Sequence, residues 1–247
     1  MSRFAPIIPR SIPPEKAICG FTTRNGGVSS APFESLNCGF STHDDRIHVL
    51  ENHNIVYRYA GVRADDVALM GQVHGSVVRI ANTGGIFEKT DGLVTGKNCL
   101  MLGIQVADCI PLLLYDPVHT VIGAIHCGWR PIVAGIAERS LKIMGEHFGT
   151  APETVIATMG PSAGPCCYRI GGDVARQLNS GSIINRNGNM FADLRAELSH
   201  RLINTGLKKN NLEIFDDCTI CNESLYYSYR RDGLHSGRML GFIMLSG

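Results

Sequence analysis

A thiol at Cys109 and imidazoles at His126 and His74 are the side chains of this sequence whose types and settings could do chemistry. Cys109 precedes the apolar run Ile110–Tyr115, and His126 follows the run Val121–Ile125. Both runs are too short for helices and rich in branched residues, and the turn-forming Asp116-Pro117-Val118-His119 separates them. The pattern predicts a buried β-hairpin closing at Asp116–Thr120, which returns Cys109 and His126 to its open end. A thiol beside an imidazole is either a nucleophile with its base or two thirds of a zinc site. His74, in Gly71-Gln72-Val73-His74-Gly75, offers a third ligand; a Cys-His-His set holds Zn²⁺ and leaves the fourth tetrahedral position open, the mark of a catalytic metal. Spacing alone does not bring His74 to the other two.

The elements that must position these residues follow in order. A strand at Ala17–Thr22 runs into Thr23-Arg24-Asn25-Gly26-Gly27, where Arg24 before a glycine-rich turn reads either as an anion clamp or as a solvated Arg at an ordinary hairpin turn. Asp44 and Asp45 open a helix to about Ala60, whose His48 and His53 read as a solvated surface. Val67–Met70 is a strand, Val77–Ile80 resembles its partner, and Leu100–Gln105 is a further strand leading to Asp108-Cys109. A helix is expected over Pro131–Phe148, a buried strand at Val155–Met159, and helices at Asp173–Leu178 and Ala192–Thr205. Gly181–Gly188 reads as a mobile insertion, and Glu213–Phe215 and Met239–Leu245 as strands. Strands and helices alternate irregularly with no linker, which predicts one α+β (α/β) domain over residues 1–247, with mixed β-sheets flanked by helices.

Hydrophobic residues at 44% and charged residues at 18% suit a well-buried core. A net charge of +1 gives no field for a nucleic-acid backbone or an anionic membrane, so neither partner is expected. No segment approaches the ~20 apolar residues of a membrane span, and Met1–Pro6 is too proline-broken for a signal peptide, so the chain is expected in the cytoplasm. Nine cysteines, an odd number in a chain this long, read as thiols rather than a disulfide framework. Cys218-Thr219-Ile220-Cys221 has the spacing of half a structural zinc site. No second pair matches it, and the adjacent Cys166 and Cys167 do not readily ligate together, so Cys218 and Cys221 are expected to pack as small hydrophobes. That expectation sets the metal content at about one zinc per chain. No dinucleotide or ATP loop motif is present.

Gly71-Gln72-Val73-His74-Gly75, Asp91-Gly92-Leu93-Val94-Thr95, Ala107-Asp108-Cys109-Ile110-Pro111 and His126-Cys127-Gly128-Trp129-Arg130 together resemble the YfiH/laccase-domain family. Thr23–Ser29, Ser35-Leu36-Asn37, Gly160-Pro161 with Cys167-Tyr168, and Ser228–Gly233 extend the likeness from about Gly20 to Leu245. Members of that family are described as polyphenol oxidases, as zinc-dependent purine nucleoside phosphorylases with adenosine deaminase activity, and as peptidoglycan editing factors. The resemblance implies mixed sheets flanked by helices and metal ligands at His74, Cys109 and His126. Cys109, His126 and Asp108 are the expected catalytic residues, and Arg24, Asn37, Gln72 and Arg230 the expected substrate- or phosphate-binding ones. Asp108 reads either as the carboxylate that orients a water or a His ligand, or as a strand-end cap. Three positions depart from the family: Cys127 stands where Ala is usual, Pro131 where Gly is usual, and Arg169 where Glu is usual. Cys127 follows a ligand on a strand and is therefore expected on the opposite face.

The resemblance implies phosphorolysis of adenosine, inosine or methylthioadenosine, with small molecules (a purine nucleoside and phosphate) as partners and no oligomeric state implied. Deamination at C6 of adenine is chemically compatible with a zinc site. A metal-free Cys109–His126 hydrolase acting on an amide of a cell-wall precursor is the alternative. Copper oxidation has least support, because blue-copper sites usually add a distant Met and no Met has ligand-like spacing.

Overall fold

The computed structural model describes residues 4–247, so the reading of Met1–Pro6 lies partly outside the described residues. In chain order the strands are β1 (Ala17–Phe21), β2 (Val67–Gly71), β3 (Val78–Ile80), β4 (Gly85–Glu88), β5 (Gly92–Thr95), β6 (Met101–Val106) and β7 (Ile110–Asp116). They continue as β8 (Val121–Cys127), β9 (Ile156–Met159), β10 (Arg169–Ile170), β11 (Ile183–Arg186), β12 (Asn189–Ala192), β13 (Leu212–Ile214) and β14 (Met239–Leu245). The α-helices are α1 (Arg46–Ala60), α2 (Trp129–Val133), α3 (Ile136–Phe148), α4 (Gly172–Ala175), α5 (Leu194–Asn204) and α6 (Tyr229–Asp232). A six-stranded sheet runs β13-β9-β7-β8-β5-β3, a five-stranded sheet runs β1-β14-β6-β2-β4, and β10-β12-β11 form a small third sheet. The result is the mixed α/β single domain that the sequence pattern predicts.

The β7–β8 hairpin lies in the middle of the six-stranded sheet, paired antiparallel from Ile110↔Cys127 to Asp116↔Val121. Every residue of both strands is buried, because helices cover one face of this sheet and the five-stranded sheet covers the other. Side chains alternate across the sheet. Leu112, Leu114 and Ile125 therefore pack with Ile136, Leu141 and Met144 of α3 and Leu198 and Leu202 of α5. Leu113, Tyr115, Ile122 and Ala124 face Leu102, Ile104, Val106 and Ile243 of the other sheet. Truncating any of these leucines to Ala costs about 2–5 kcal/mol, so the ends of the hairpin are held by a core that gives little.

The outer face of the five-stranded sheet is covered by α1, whose Val56, Tyr57 and Ala60 meet Leu69, Met101, Leu240 and Phe242. Asp45 caps this helix by accepting from the Ile47 N–H at 2.8 Å, and Gly61 ends it at φ 66°, a left-handed conformation that favours glycine.

Several expectations are corrected. β3 pairs in parallel with β5 of the six-stranded sheet, not with β2. The single helix expected over Pro131–Phe148 is two helices, broken at Gly135 with φ 77°. The Gly181–Gly188 stretch is built into a hairpin, with β11 paired to β12. His53 is not a solvated residue of α1. It is buried, its Nε2 donates to the Cys38 carbonyl at 2.8 Å, its Nδ1 accepts from the Tyr57 hydroxyl at 3.0 Å, and Phe40 stacks on its ring at 4.5 Å. No helix among the described residues is long and apolar enough to cross a membrane.

Burial holds the His53 imidazole neutral, with its pKa lowered to about 4 despite the opposing bond to Cys38. The unfolded chain, with an ordinary His pKa near 6.5, takes up the proton first, so stability is present above that pH and is lost as pH falls from about 6.5 toward 4. The expected loss is about 2 kcal/mol by pH 5. Urea unfolding at pH 7 and pH 5 checks it: a His53→Gln chain, whose amide keeps a donor for Cys38, should lose most of this pH dependence.

Candidate metal centre

Cys109 precedes β7 and His126 is the last residue but one of β8, opposite Pro111, so the hairpin register brings both to its open end. His74 comes from the turn after β2, in the other sheet, and reaches the same place across the interface of the two sheets. One ligand atom each from His74, Cys109 and His126 lie within 4.8 Å of one another, and the two imidazole centroids are 4.7 Å apart at 64°. Gly128 makes room for the set: a Cβ there would stand 2.9 Å from the Cys109 sulfur and 3.2 Å from His74 Nδ1. Thiolate and imidazole are borderline-soft donors suited to zinc or copper and unsuited to magnesium or calcium, so the residues fit a resident transition metal.

Asp91, which the sequence shows only as the first residue of a family-like motif with no role attached, orders this set. Its buried carboxylate accepts from His126 Nδ1 at 2.8 Å and from the backbone N–H groups of Val73, His74 and Gly75 at 3.2, 3.0 and 2.8 Å. One carboxylate therefore fixes the tautomer of one ligand and the loop of another. His74 itself sits at φ 56°, a conformation that costs a non-glycine residue energy and persists only where the surroundings impose it. The spacing Thr90-Asp91-Gly92 carries no sign of this role, because the contacts are made across strands.

The charges at the centre support one another. Burial works to raise the Cys109 thiol, but the charge and hydrogen bond of His126, with help from His74, outweigh it and bring its pKa to about 6. Burial likewise opposes the His126 imidazolium, yet the Cys109 sulfur and the Asp91 carboxylate raise its pKa to about 9. Burial works to raise the Asp91 carboxylate as well, but His126 and the N–H groups of Gly75 and Val73 hold it below the usual carboxylate range. The site thus already favours a thiolate facing a positive charge, the arrangement a divalent cation satisfies by taking the place of a proton.

The centre opens into a cavity of about 850 Å³ walled by Phe40, Trp129, Tyr168 and Tyr229, with Arg130, Arg230 and Arg238 at its polar side. Gln72 lines it too, but both ends of its amide are committed to the backbone of Gln105, at 2.9 Å each. Arg230 stacks over Tyr168 at 4.4 Å and donates to the Arg169 carbonyl at 2.9 Å.

Arg24 and Asn37 do not line this cavity. Arg24 donates to the carbonyls of Glu34 and Glu223 at 2.9 and 3.0 Å and stacks over Tyr227 at 4.8 Å, which makes it a clasp between loops rather than an anion clamp. Asn37 is fully buried. Its amide donates to Thr42 and Asp44, and its carbonyl oxygen accepts from Gly39 and Arg238 N–H groups. Asp108, at φ 83°, spends both carboxylate oxygens on the protein, accepting from the Thr219 hydroxyl and the Arg230 N–H at 2.7 Å each. It is a cap on converging loops, while the orienting of His126 belongs to Asp91. Cys127 turns into the helix-side core and stands outside the ligand group.

The expectation for Cys218 and Cys221 also changes. Cys221 is exposed and Cys218 half-buried, and neither joins the core. Their sulfurs gather with those of Cys166 and Cys167, all four within 4.8 Å of one another.

Residues 18–246 match the family described as multi-copper polyphenol oxidoreductase laccase. A purine nucleoside phosphorylase of Deinococcus radiodurans is 37% identical over 98% of this chain and 94% of its own length. The purine nucleoside phosphorylase YlmD of Bacillus subtilis is 33% identical over 93% of this chain and 88% of its own. The crystal structure of a Bacillus licheniformis YfiH protein superposes with a TM-score of 0.88 at 30% identity, covering 93% of each chain.

Two substitutions separate the roles at the centre. Cys109→Ala is expected to abolish metal binding by this set. Asp91→Asn, which puts an amide N–H against backbone donors, is expected to weaken it about 10–100-fold. Zinc titration against a chromogenic chelator reads both, and unchanged affinity in Asp91→Asn would refute its ordering role.

Proposed function

Because the chain belongs to the multi-copper polyphenol oxidoreductase laccase family, whose relatives matched along nearly the whole chain are named purine nucleoside phosphorylases, we propose that it cleaves purine nucleosides with phosphate. The observation that carries the reading is the setting of the His74-Cys109-His126 group in a cavity that combines aromatic walls with three arginines. A purine has flat faces to stack on Trp129, Tyr168, Tyr229 or Phe40, and phosphate needs guanidinium donors.

The residues divide the work as follows. Zinc is the metal we assign to His74, Cys109 and His126, and its contribution when bound is positive charge beside the reacting groups. Arg130, Arg230 and Arg238 hold the phosphate and offset the charge that grows as the glycosidic bond breaks. The Arg130 guanidinium lies over Trp129 at 4.4 Å and makes no hydrogen bond to another described residue, so its fork is available to an anion. Arg238 is held by its own loop, donating to the Ser236 and Gly237 carbonyls at 2.8 and 2.9 Å. Asp91 keeps His126 oriented throughout. Deamination of adenosine at the same site fits this donor set, and we include it as a second activity. The nine free thiols suit a reducing compartment, and we place the reaction in the cytoplasm.

One observation favours the Cys109–His126 hydrolase instead: the lowered thiol facing a raised imidazole. Against it, His74 converges on the same point, where a nucleophile and base need no third ligand. Copper oxidation, named in the family description, relays electrons among several ions. Among the described residues only two donor groups could hold a metal, and only one contains histidine.

Turnover of adenosine and inosine with and without phosphate tests the reading. Arg130→Ala is expected to raise KM for phosphate about 10–100-fold, as the loss of a charge-assisted contact worth about 1.5–3 kcal/mol. It should change phosphate-independent deamination far less. Arg24→Ala, outside the cavity, should lower stability without singling out phosphate. Equal losses in both reactions for Arg130→Ala would sink the assignment, and full zinc with no turnover in Cys109→Ala would favour the nucleophile.

A further inference from the structure

The four thiols of Cys166, Cys167, Cys218 and Cys221 lie on two loops outside the core, where their packing stabilises little. Two of the four are exposed and two half-buried. Yet the Cys221 sulfur is 3.4 Å from that of Cys166 and 3.2 Å from that of Cys167, and all four fall within 4.8 Å of one another. Four sulfurs bound to one zinc at about 2.3 Å form a tetrahedron with edges of about 3.8 Å, so small shifts of exposed side chains complete it. We infer that these four cysteines form a second metal site, a closed tetrathiolate that takes zinc as a structural ion.

The backbone explains how neighbours in sequence converge. Cys166 and Cys167 sit in a turn closed by the Cys167 and Tyr168 N–H groups donating to the Gly164 carbonyl at 3.0 and 2.9 Å. In a tight turn successive side chains do not point to opposite sides as they do on a strand, so both thiols can face one point. Cys218 and Cys221 flank a second turn, in which the Asn222 N–H donates to the Cys218 carbonyl at 3.1 Å. Ser162 joins the two loops: its N–H donates to the Asp217 carbonyl at 3.3 Å, and its carbonyl accepts from the Thr219 N–H at 3.1 Å. The Gly164 N–H points at the Cys218 sulfur at 3.2 Å, a bond that favours a thiolate.

Charge is supplied as well. A zinc ion with four thiolates carries a net charge of −2. Arg186 donates to the carbonyls of Pro165 and Cys166 at 2.7 and 2.9 Å, and Arg231 to those of Thr219 and Ile220 at 2.9 and 3.2 Å. Both guanidinium groups hold the loops; Arg186 brings positive charge to them, while Arg231 is paired with Asp232 at 2.7 Å and acts through its hydrogen bonds. Sulfur donors select zinc over hard cations, and a site whose four positions are all protein leaves none for substrate, which makes it structural.

The site's consequence is positional. Thr219, between Cys218 and Cys221, donates to the Asp108 carboxylate at 2.7 Å, and the Ala163 N–H donates to the Asp108 carbonyl at 2.9 Å. Both loops therefore grip the residue just before Cys109. Pinning them with a metal fixes the approach to the first centre.

Metal counting by native mass spectrometry and elemental analysis, on full-length chain expressed with zinc, decides the matter independently of any turnover. The wild-type chain should carry about two zinc ions. Cys109→Ala should keep one of them, and Cys218→Ser combined with Cys221→Ser should also keep one. Loading the Cys109→Ala chain with cobalt(II) should give the strong visible and thiolate charge-transfer absorption of a tetrahedral all-sulfur field. A wild-type chain with a single zinc that vanishes in Cys109→Ala would overturn the inference. So would a mass lowered by the hydrogens of a disulfide between Cys221 and Cys166 or Cys167. Neither result would bear on whether the enzyme phosphorolyses nucleosides, so the two readings fail separately.

Discussion

The Asp91 carboxylate is the interaction on which the functional end of this molecule depends. It is buried at the start of β5, where a lone ionised carboxylate would be costly. Four donors make it tolerable: one imidazole from the hairpin and three consecutive backbone N–H groups from the turn that carries His74. Those groups belong to the two different sheets. Asp91 therefore turns sheet packing, which is set by non-directional apolar contact, into a directed arrangement of metal ligands. Without it the two sheets have no specific reason to present His74 to Cys109 within a few tenths of an ångström.

The rest of the scaffold serves rigidity at the same point. β7 and β8 are buried on both faces and paired along their full length, so Cys109 and His126 have little freedom. Beyond them Gly128 leaves the space that the ligands occupy. Asp108 closes the other side, gathering the loops of residues 162–163, 219 and 230 onto the residue before Cys109. Two of the cavity's three arginines, Arg230 and Arg130, come from those loops and from the start of α2, so the polar lining can vary while the strands stay fixed.

Charge separation distinguishes the two sulfur-containing clusters. At the His74-Cys109-His126 centre only one sulfur is present, and it lines the cavity. The four-cysteine cluster sits between two loops whose carbonyls are bound by the guanidinium groups of Arg186 and Arg231. Similar donor atoms are thus set in opposite surroundings, one group at the mouth of a cavity and the other between two loops.

The sequence by itself determined the hairpin, its buried character, the helix α1 with its Asp45 cap, and the pairing of Cys109 with His126. Each of these follows from local alternation, turn chemistry and capping, which act over a few residues. The residues offered His74 as a third candidate, the resemblance selected it, and the structure brings it to the other two. Only the tertiary structure decided that Asp91 orders the ligands, that Arg24 and Asn37 tie loops together, and that His53 is buried and neutral. It alone decided that Cys166 and Cys167 meet Cys218 and Cys221. All of these rest on contacts between segments distant in sequence, across a sheet interface or between two loops. The geometry there is set by how the two sheets face each other and how the loops between strands converge, and spacing along the chain carries no record of either.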